Sequence, residues 1–220
     1  MEFEKYIPDH ALELKSFAEM DYFAVQEYGL PIELMMENAG LHLARLVAHF
    51  SNQNQHIVIG AGNGNNGGGG LVAARRLAAW GYEVFLDLPV EITKDLPILQ
   101  LERALKFGAR KEIPSHVDVW VDAYLGFSQR LPLSAEYQAS IEQAIKSEAV
   151  LISLDLPTGI AAGDFIPDHV LTLAAYKKTL ELLPDKTKIF IADLGIPSEV
   201  YNKFGIEIPP FKRSSILQVQ

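Results

Sequence analysis

Three short segments hold the residues that could do chemistry. The first, Gly62-Asn63-Gly64-Asn65-Asn66-Gly67-Gly68-Gly69-Gly70, sets six glycines and three asparagines between an apolar run and a helical one. Glycine has no Cβ, so backbone can approach a ligand closely, and consecutive N–H groups ahead of a helix carry partial positive charge suited to phosphate. A nucleotide-like anion is the first ligand to consider. The second segment is Asp122-Ala123-Tyr124-Leu125-Gly126 with Arg130 and Pro132, and the third is Asp155-Leu156-Pro157-Thr158-Gly159. Each follows a run with the composition of a strand. In open α/β sheets ligands bind beyond the carboxyl ends of the strands, so the three should meet in one crevice. That crevice would gather two carboxylates, a hydroxyl, a carboxamide and many backbone amides.

The elements that must position them read off apolar periodicity. Helical spacing runs from Leu12 to Tyr28 and stops at Gly29-Leu30-Pro31; a second helix follows over Ile32 to Phe50. His56 to Gly60 is a strand, and past the glycine segment comes a helix over Leu71 to Trp80. A strand over Glu83 to Asp87, a helix over Leu96 to Phe107 and a strand over Val117 to Asp122 come next. A helix over Ala135 to Lys146 then leads to strands over Ala149 to Asp155, His169 to Leu173 and Lys188 to Ala192. This alternation predicts an α/β fold: a three-layer αβα sandwich whose mostly parallel, Rossmann-like sheet has helices on both faces. Residues 1–220 read as a single domain, with N-terminal helices over about 11–50, an α/β core over about 55–200 and a coil tail beyond Pro209.

Composition narrows the function classes. The 220 residues are 49% hydrophobic, enough to bury one full core. With no cysteine there is neither a disulfide framework nor thiolate chemistry. No signal-peptide pattern and no run of eighteen apolar residues is present, which predicts a soluble, cytoplasmic protein. A net charge of -9 repels nucleic acid and anionic membranes at long range, so neither is an expected partner. The six histidines lack a metal-ligand spacing. His56 and His169, each starting a strand, read as surface or edge residues, and Leu34, Met35 and Met36 as helix core.

Gly62, Gly64 and Gly67 also satisfy G-x-G-x-x-G, with Asp87 twenty residues beyond Gly67 at a strand end. That is the dinucleotide fingerprint of an NAD-dependent oxidoreductase, and this reading stays open, as does a flexible glycine-rich turn. Against the oxidoreductase, the paired asparagines and the four-glycine run exceed what the dinucleotide turn needs. It also leaves the two later strand-end segments unexplained.

Met35-Met36-Glu37-Asn38-Ala39-Gly40, the Asn65-Asn66-Gly67-Gly68 segment followed by Gly70-Leu71-Val72-Ala73-Ala74-Arg75, the Val121-Asp122-Ala123 strand end and Asp155-Leu156-Pro157-Thr158-Gly159 together resemble the YjeF N-terminal domain family. A weaker echo is Gly195-Ile196-Pro197. Members of that family are NAD(P)H-hydrate epimerases. The resemblance implies a pocket for hydrated NADH or NADPH (NADHX or NADPHX), whose two C6 epimers the enzyme interconverts. By motif position Asp155 would be the acid/base, partly desolvated behind a buried strand; the other reading is a turn-shaping residue that accepts backbone N–H groups. Substrate would meet Asn65, Asn66, Gly67, Gly68, Gly69 and Asp155 on one side. Gly126, Phe127, Ser128, Gln129, Arg130, Leu131 and Pro132 would border it on the other. The resemblance also implies one K+ ion per subunit against Asn66, Asp122 and Thr158, and a homodimer. For Asp122 the alternative is a cap or a loop-shaping hydrogen bond. The chain departs from the family pattern at Gly69, where Asp is usual, at Phe127-Ser128, where a small residue and Gly are usual, and at Leu131. A noncatalytic homologue that binds a nucleotide or a protein partner through the altered cleft is therefore the second reading. An RNA-associated role rests on analogy alone and runs against the acidic balance.

Overall fold

Branched apolar residues in short runs form the strands at the centre of the sheet: β2 (His56–Ala61), β4 (Val119–Ala123), β5 (Val150–Leu154), β6 (His169–Leu173) and β7 (Lys188–Ala192). The computed structural model describes residues 3–163 and 165–220. With β1 (Glu4–Tyr6), β3 (Glu83–Asp87) and β8 (Ile216–Val219) these strands make one sheet in the order β1-β8-β7-β6-β5-β4-β2-β3. Neighbours run parallel except β7 and β8, which are antiparallel. The helices are α1 (Leu14–Tyr28), α2 (Ile32–Phe50), α3 (Asn65–Ala79), α4 (Asp95–Lys106), α5 (Ala135–Lys146) and α6 (Ser198–Lys203). Gly29, at φ 60°, closes α1 by donating its N–H to Ala24 O, as a glycine past a helix end commonly does.

Strand alternation divides the core. Ile57, Ile59, Val119 and Val121 turn toward α2, α3 and α4, where Leu43, Leu46, Leu71, Leu77 and Ala104 meet them. Val58 and Trp120 turn the other way, onto Ile141 and Ala144 of α5. Ile191 and Leu217 join a further cluster with Phe17 and Met20 of α1 and Val200 and Tyr201 of α6.

Three expectations change. The tail beyond Pro209 is not only coil: Ile216–Val219 pairs antiparallel with β7 and parallel with β1, extending the sheet by two strands. His169 is neither surface nor edge. It is 9% exposed on interior strand β6 and stacks on Phe50 at 3.9 Å, and burial lowers its imidazole to about 4. His56 is half-buried at the start of β2, also interior to the sheet. Met35 and Met36 are buried as expected, whereas Leu34 is 52% exposed.

The glycine run is also not a loop throughout, because α3 begins at Asn65 and takes Gly67 to Gly70 into its first turns. Those glycines serve close packing. A Cβ on Gly68 would lie 2.6 Å from Met36 Sδ, and one on Gly70 would lie 2.6 Å from Ala123 Cβ. The helix therefore starts pressed against the strand ends.

Candidate active site

From β2 the chain crosses to β3 on one side, and β4 later takes the other side of β2. The crevice opened by that reversal lies at the carboxyl ends of β2, β4 and β5, where all three chemistry-bearing segments arrive. It holds a cavity of about 220 Å³. Phe17, Met35, Met36, Leu173 and Leu194 give it an apolar wall; Asp21, Asn65, Asn66, Lys94 and Asp155 give it polar points.

Asp155 sits immediately past β5, 2% exposed. Its N–H donates to Leu171 O at 2.8 Å, the last rung toward β6, and its backbone then turns left-handed at φ 68°. That conformation is strained for a residue with a Cβ, though aspartate tolerates it better than most. The turn leaves the carboxylate between two neighbours. Oδ1 lies 2.7 Å from Lys177 Nζ, and Oδ2 faces Gly126, where a Cβ would stand 3.3 Å away. The same Cβ would stand 3.3 Å from Asn66, so only a residue as small as glycine leaves both groups free of contact. Among the described residues Asp155 accepts no backbone N–H, contrary to a turn-shaping role.

Lys177, beside Asp155, is a residue that sequence reasoning passed over. It is fully buried; its ammonium forms an ion pair with Asp155, donates to Thr172 Oγ1 and Leu173 O, both at 2.9 Å, and stands 3.7 Å above the Phe17 ring. Burial pushes its pKa down, while the charges of Asp155 and Asp21 and the contact with Asp155 pull it back up. Asp21 moves the opposite way: burial and the Asp155 charge raise it, and Lys177 partly offsets them. The missed signal was positional, because Lys177 lies four residues beyond β6, where the strand-end rule points.

Asp122 is fully buried, and its carboxylate is surrounded by donors. Oδ1 accepts from Thr158 Oγ1 at 2.6 Å and Tyr124 N at 3.3 Å; Oδ2 accepts from Thr158 N at 2.8 Å and Ser153 Oγ at 2.9 Å. Burial pushes its pKa up, and these hydrogen bonds oppose the rise. Leu125 N donates to Thr158 Oγ1, and Asn66 Nδ2 donates to Leu125 O at 3.0 Å and Leu154 O at 3.2 Å. Asn66, Asp122 and Thr158 thus belong to one cluster, in which Asp122 does shape the loops. Its hard oxygens, with one buried carboxylate among them, are the right donor chemistry for an alkali cation. They fit a cation with one change: the Asn66 amide must turn over, so that Oδ1 replaces Nδ2.

Of the other expected contacts, Asn65, Asn66, Gly69, Gly126, Phe127 and Ser128 line the cavity. Gly67 and Gly68 are buried behind it in α3, and Gln129, Arg130, Leu131 and Pro132 are not part of its lining. Arg130 and Leu131 are exposed. Gln129 ties two segments together, donating to Pro157 O at 3.2 Å and accepting from Gly159 N at 2.7 Å. Asp87, the carboxylate that the dinucleotide fingerprint would place on a ribose, instead accepts the Tyr124 hydroxyl at 2.6 Å. That bond weakens the oxidoreductase reading.

Known proteins resemble this chain in sequence and in fold. A family model described as YjeF-related protein N-terminus matches residues 32–179. An NAD(P)H-hydrate epimerase of Dehalogenimonas lykanthroporepellens is 35% identical over 206 residues, covering 86% of this chain and 83% of that one. An NAD(P)H-hydrate epimerase of Rhodopirellula baltica is 31% identical over 211 residues, with 86% and 85% covered. The crystal structure of yeast YNL200c superposes with a TM-score of 0.86 at 23% identity over 95% of this chain and 99% of that one, which supports the fold.

Proposed function

The chain belongs to the YjeF-related protein N-terminus family, and on that premise we propose that it is an NAD(P)H-hydrate epimerase, an isomerase acting on NADHX and NADPHX. One observation carries the reading: a buried carboxylate, Asp155, opens on a half-apolar cavity at the meeting point of the strand ends, with a buried ammonium behind it. In the hydrate, the ring nitrogen's lone pair can expel the C6 hydroxyl once that oxygen takes a proton. The C6–O bond breaks toward oxygen, and a carbon–nitrogen double bond forms. Water then adds to C6 from either face and gives its extra proton to a carboxylate. Asp155 would carry this proton traffic, and Phe17, Met35 and Met36, which line the same cavity, would offer the ring an apolar bed. The unpaired amides at the start of α3 suit the nucleotide's phosphates. The decisive assay follows the R and S hydrates against the spontaneous background. Asp155→Asn should slow enzymatic epimerisation by roughly 10²- to 10⁴-fold with the fold intact; an unchanged rate would overturn the role.

The same reading includes a potassium ion held by Asn66, Asp122 and Thr158. Its positive charge would sit near the nucleotide and brace the loops after β4 and β5. Melting in potassium against tetramethylammonium at equal ionic strength tests it. A rise in Tm that Asp122→Asn abolishes supports the ion, and equal Tm in both salts refutes it. No helix among the described residues is long and apolar enough to cross a membrane. A cytoplasmic location and a homodimer complete the proposal, checked by cell fractionation and light scattering.

A further inference from the structure

Helix α1 contributes more to the cavity than cover. Phe17 and Asp21 are one turn apart on its face, while Met20 and Ala24 bury fully into the core and fix the helix's rotation. Phe17 lies over the Lys177 ammonium, and Asp21 reaches the same cavity that Asp155 faces. The Asp21 carboxyl is half-buried, and among the described residues it forms no hydrogen bond and no ion pair. A part-buried carboxyl without a protein partner, turned into a cavity beside a second carboxyl, is costly for folding alone.

We propose that Asp21 is the second acid–base carboxyl of this site, dividing with Asp155 the proton exchange at the substrate's C6 oxygen. The inference rests on the epimerase reading. Protonated Asp21 gives its proton to the departing hydroxyl, which leaves as water with the electrons of the C6–O bond while the ring nitrogen forms the double bond. Water then adds to the other face of C6 and passes its extra proton to ionised Asp155. The reverse epimerisation exchanges the roles, and proton exchange with solvent water resets the pair. The environment fits this division, since burial and the Asp155 charge favour the protonated form of Asp21. The charges that act on Asp21 are those of Asp155 and Lys177; Lys94 lines the same cavity, Glu199 and Lys203 lie on α6, which packs against α1, and Lys15 and Glu19 pair with each other on α1. Lys203 is engaged with the Phe23 ring at 3.4 Å.

Asp21→Asn should lower epimerisation of both hydrates by roughly 10²-fold and abolish the fall in rate at rising pH that reports loss of the Asp21 proton, with Tm unchanged. Asp21→Glu should restore part of the rate. Wild-type rate and an unaltered pH profile in Asp21→Asn overturn the inference while the epimerase reading stands. Wild-type protein that accelerates neither hydrate overturns both. A readout independent of turnover is carboxyl 13C NMR: the Asp21 midpoint should lie above the ordinary aspartate range and fall in Asp155→Asn. A midpoint in the ordinary range, indifferent to that substitution, also overturns the inference.

Discussion

Removing the Lys177 ammonium should be the most damaging single change at this site that leaves the backbone alone. The pair lies 2.7 Å apart, with Lys177 0% and Asp155 3% exposed by side chain. At an effective dielectric of about 20 the gross attraction is about 6 kcal/mol, against which both groups give up their hydration. Lys177→Met forfeits that attraction and two hydrogen bonds, and leaves the Asp155 carboxylate buried without a counter-charge. The expected loss is about 3–5 kcal/mol, which for a chain of this size lowers Tm by roughly 6–20 °C. Asp155→Asn/Lys177→Met has no orphaned charge, so it should recover at least about 1 kcal/mol relative to the sum of the single losses. Urea unfolding of the wild type, both single variants and the double variant measures the cycle, provided the m-values agree. Strict additivity, or a Lys177→Met midpoint matching the wild type, would refute the ion pair as described.

Acid should destabilise the fold through two buried histidines. Burial lowers His42 and His169 from 6.5 to about 4, so the folded state binds fewer protons than the unfolded one. Their contribution is complete above pH 6.5 and is lost as pH falls toward 4, on the order of 2 kcal/mol each by pH 5. Tm should drop between pH 7.5 and 5, and His169→Phe, which keeps the stacked ring on Phe50, should lessen the drop; a flat Tm would contradict this. Gly70→Ala places a Cβ 2.6 Å from Ala123 Cβ and should cost about 1–3 kcal/mol, whereas Gly64→Ala meets nothing within 4 Å and should change stability by less than about 0.5 kcal/mol. Equal denaturation midpoints for the two would show that α3 does not press on the strand ends.

What the sequence disclosed follows from the range of the forces involved. The central strands and the helices over 32–50 and 135–146 carry their own periodicity, so local pattern alone identified them. Strands β1 and β8 do not: Glu4–Tyr6 and Ile216–Val219 are short, and they become strands by pairing with each other and with β7 across almost the whole chain. The glycine run read as a loop because glycine is a poor helix former. Met36, Ala123 and Ile59 reverse that preference by admitting no side chain. At the site, Asp122, Asp155 and Thr158 were legible because they lie at or within a few residues of the ends of β4 and β5. Lys177 carries the same strand-end signal, four residues past β6, but reads as a surface lysine until its burial is known, and Asp21, on α1, has no such signal.

The departure at Phe127 shows how a side chain at the rim can act without obstructing the cleft. Its ring lines the cavity and packs edge-on against Phe17 at 5.4 Å between centroids. Phe17 in turn covers the Lys177 ammonium. Two rings therefore keep water from the Lys177–Asp155 pair on the side facing α1, and exclusion of water strengthens each charge felt by a ligand in the cavity. Leu131, the other bulky departure, is exposed and lies outside the cavity lining, so it leaves the space beside Asp155 unaltered. Phe127, one of the departures from the family pattern, therefore extends the apolar wall of the cavity through its contact with Phe17.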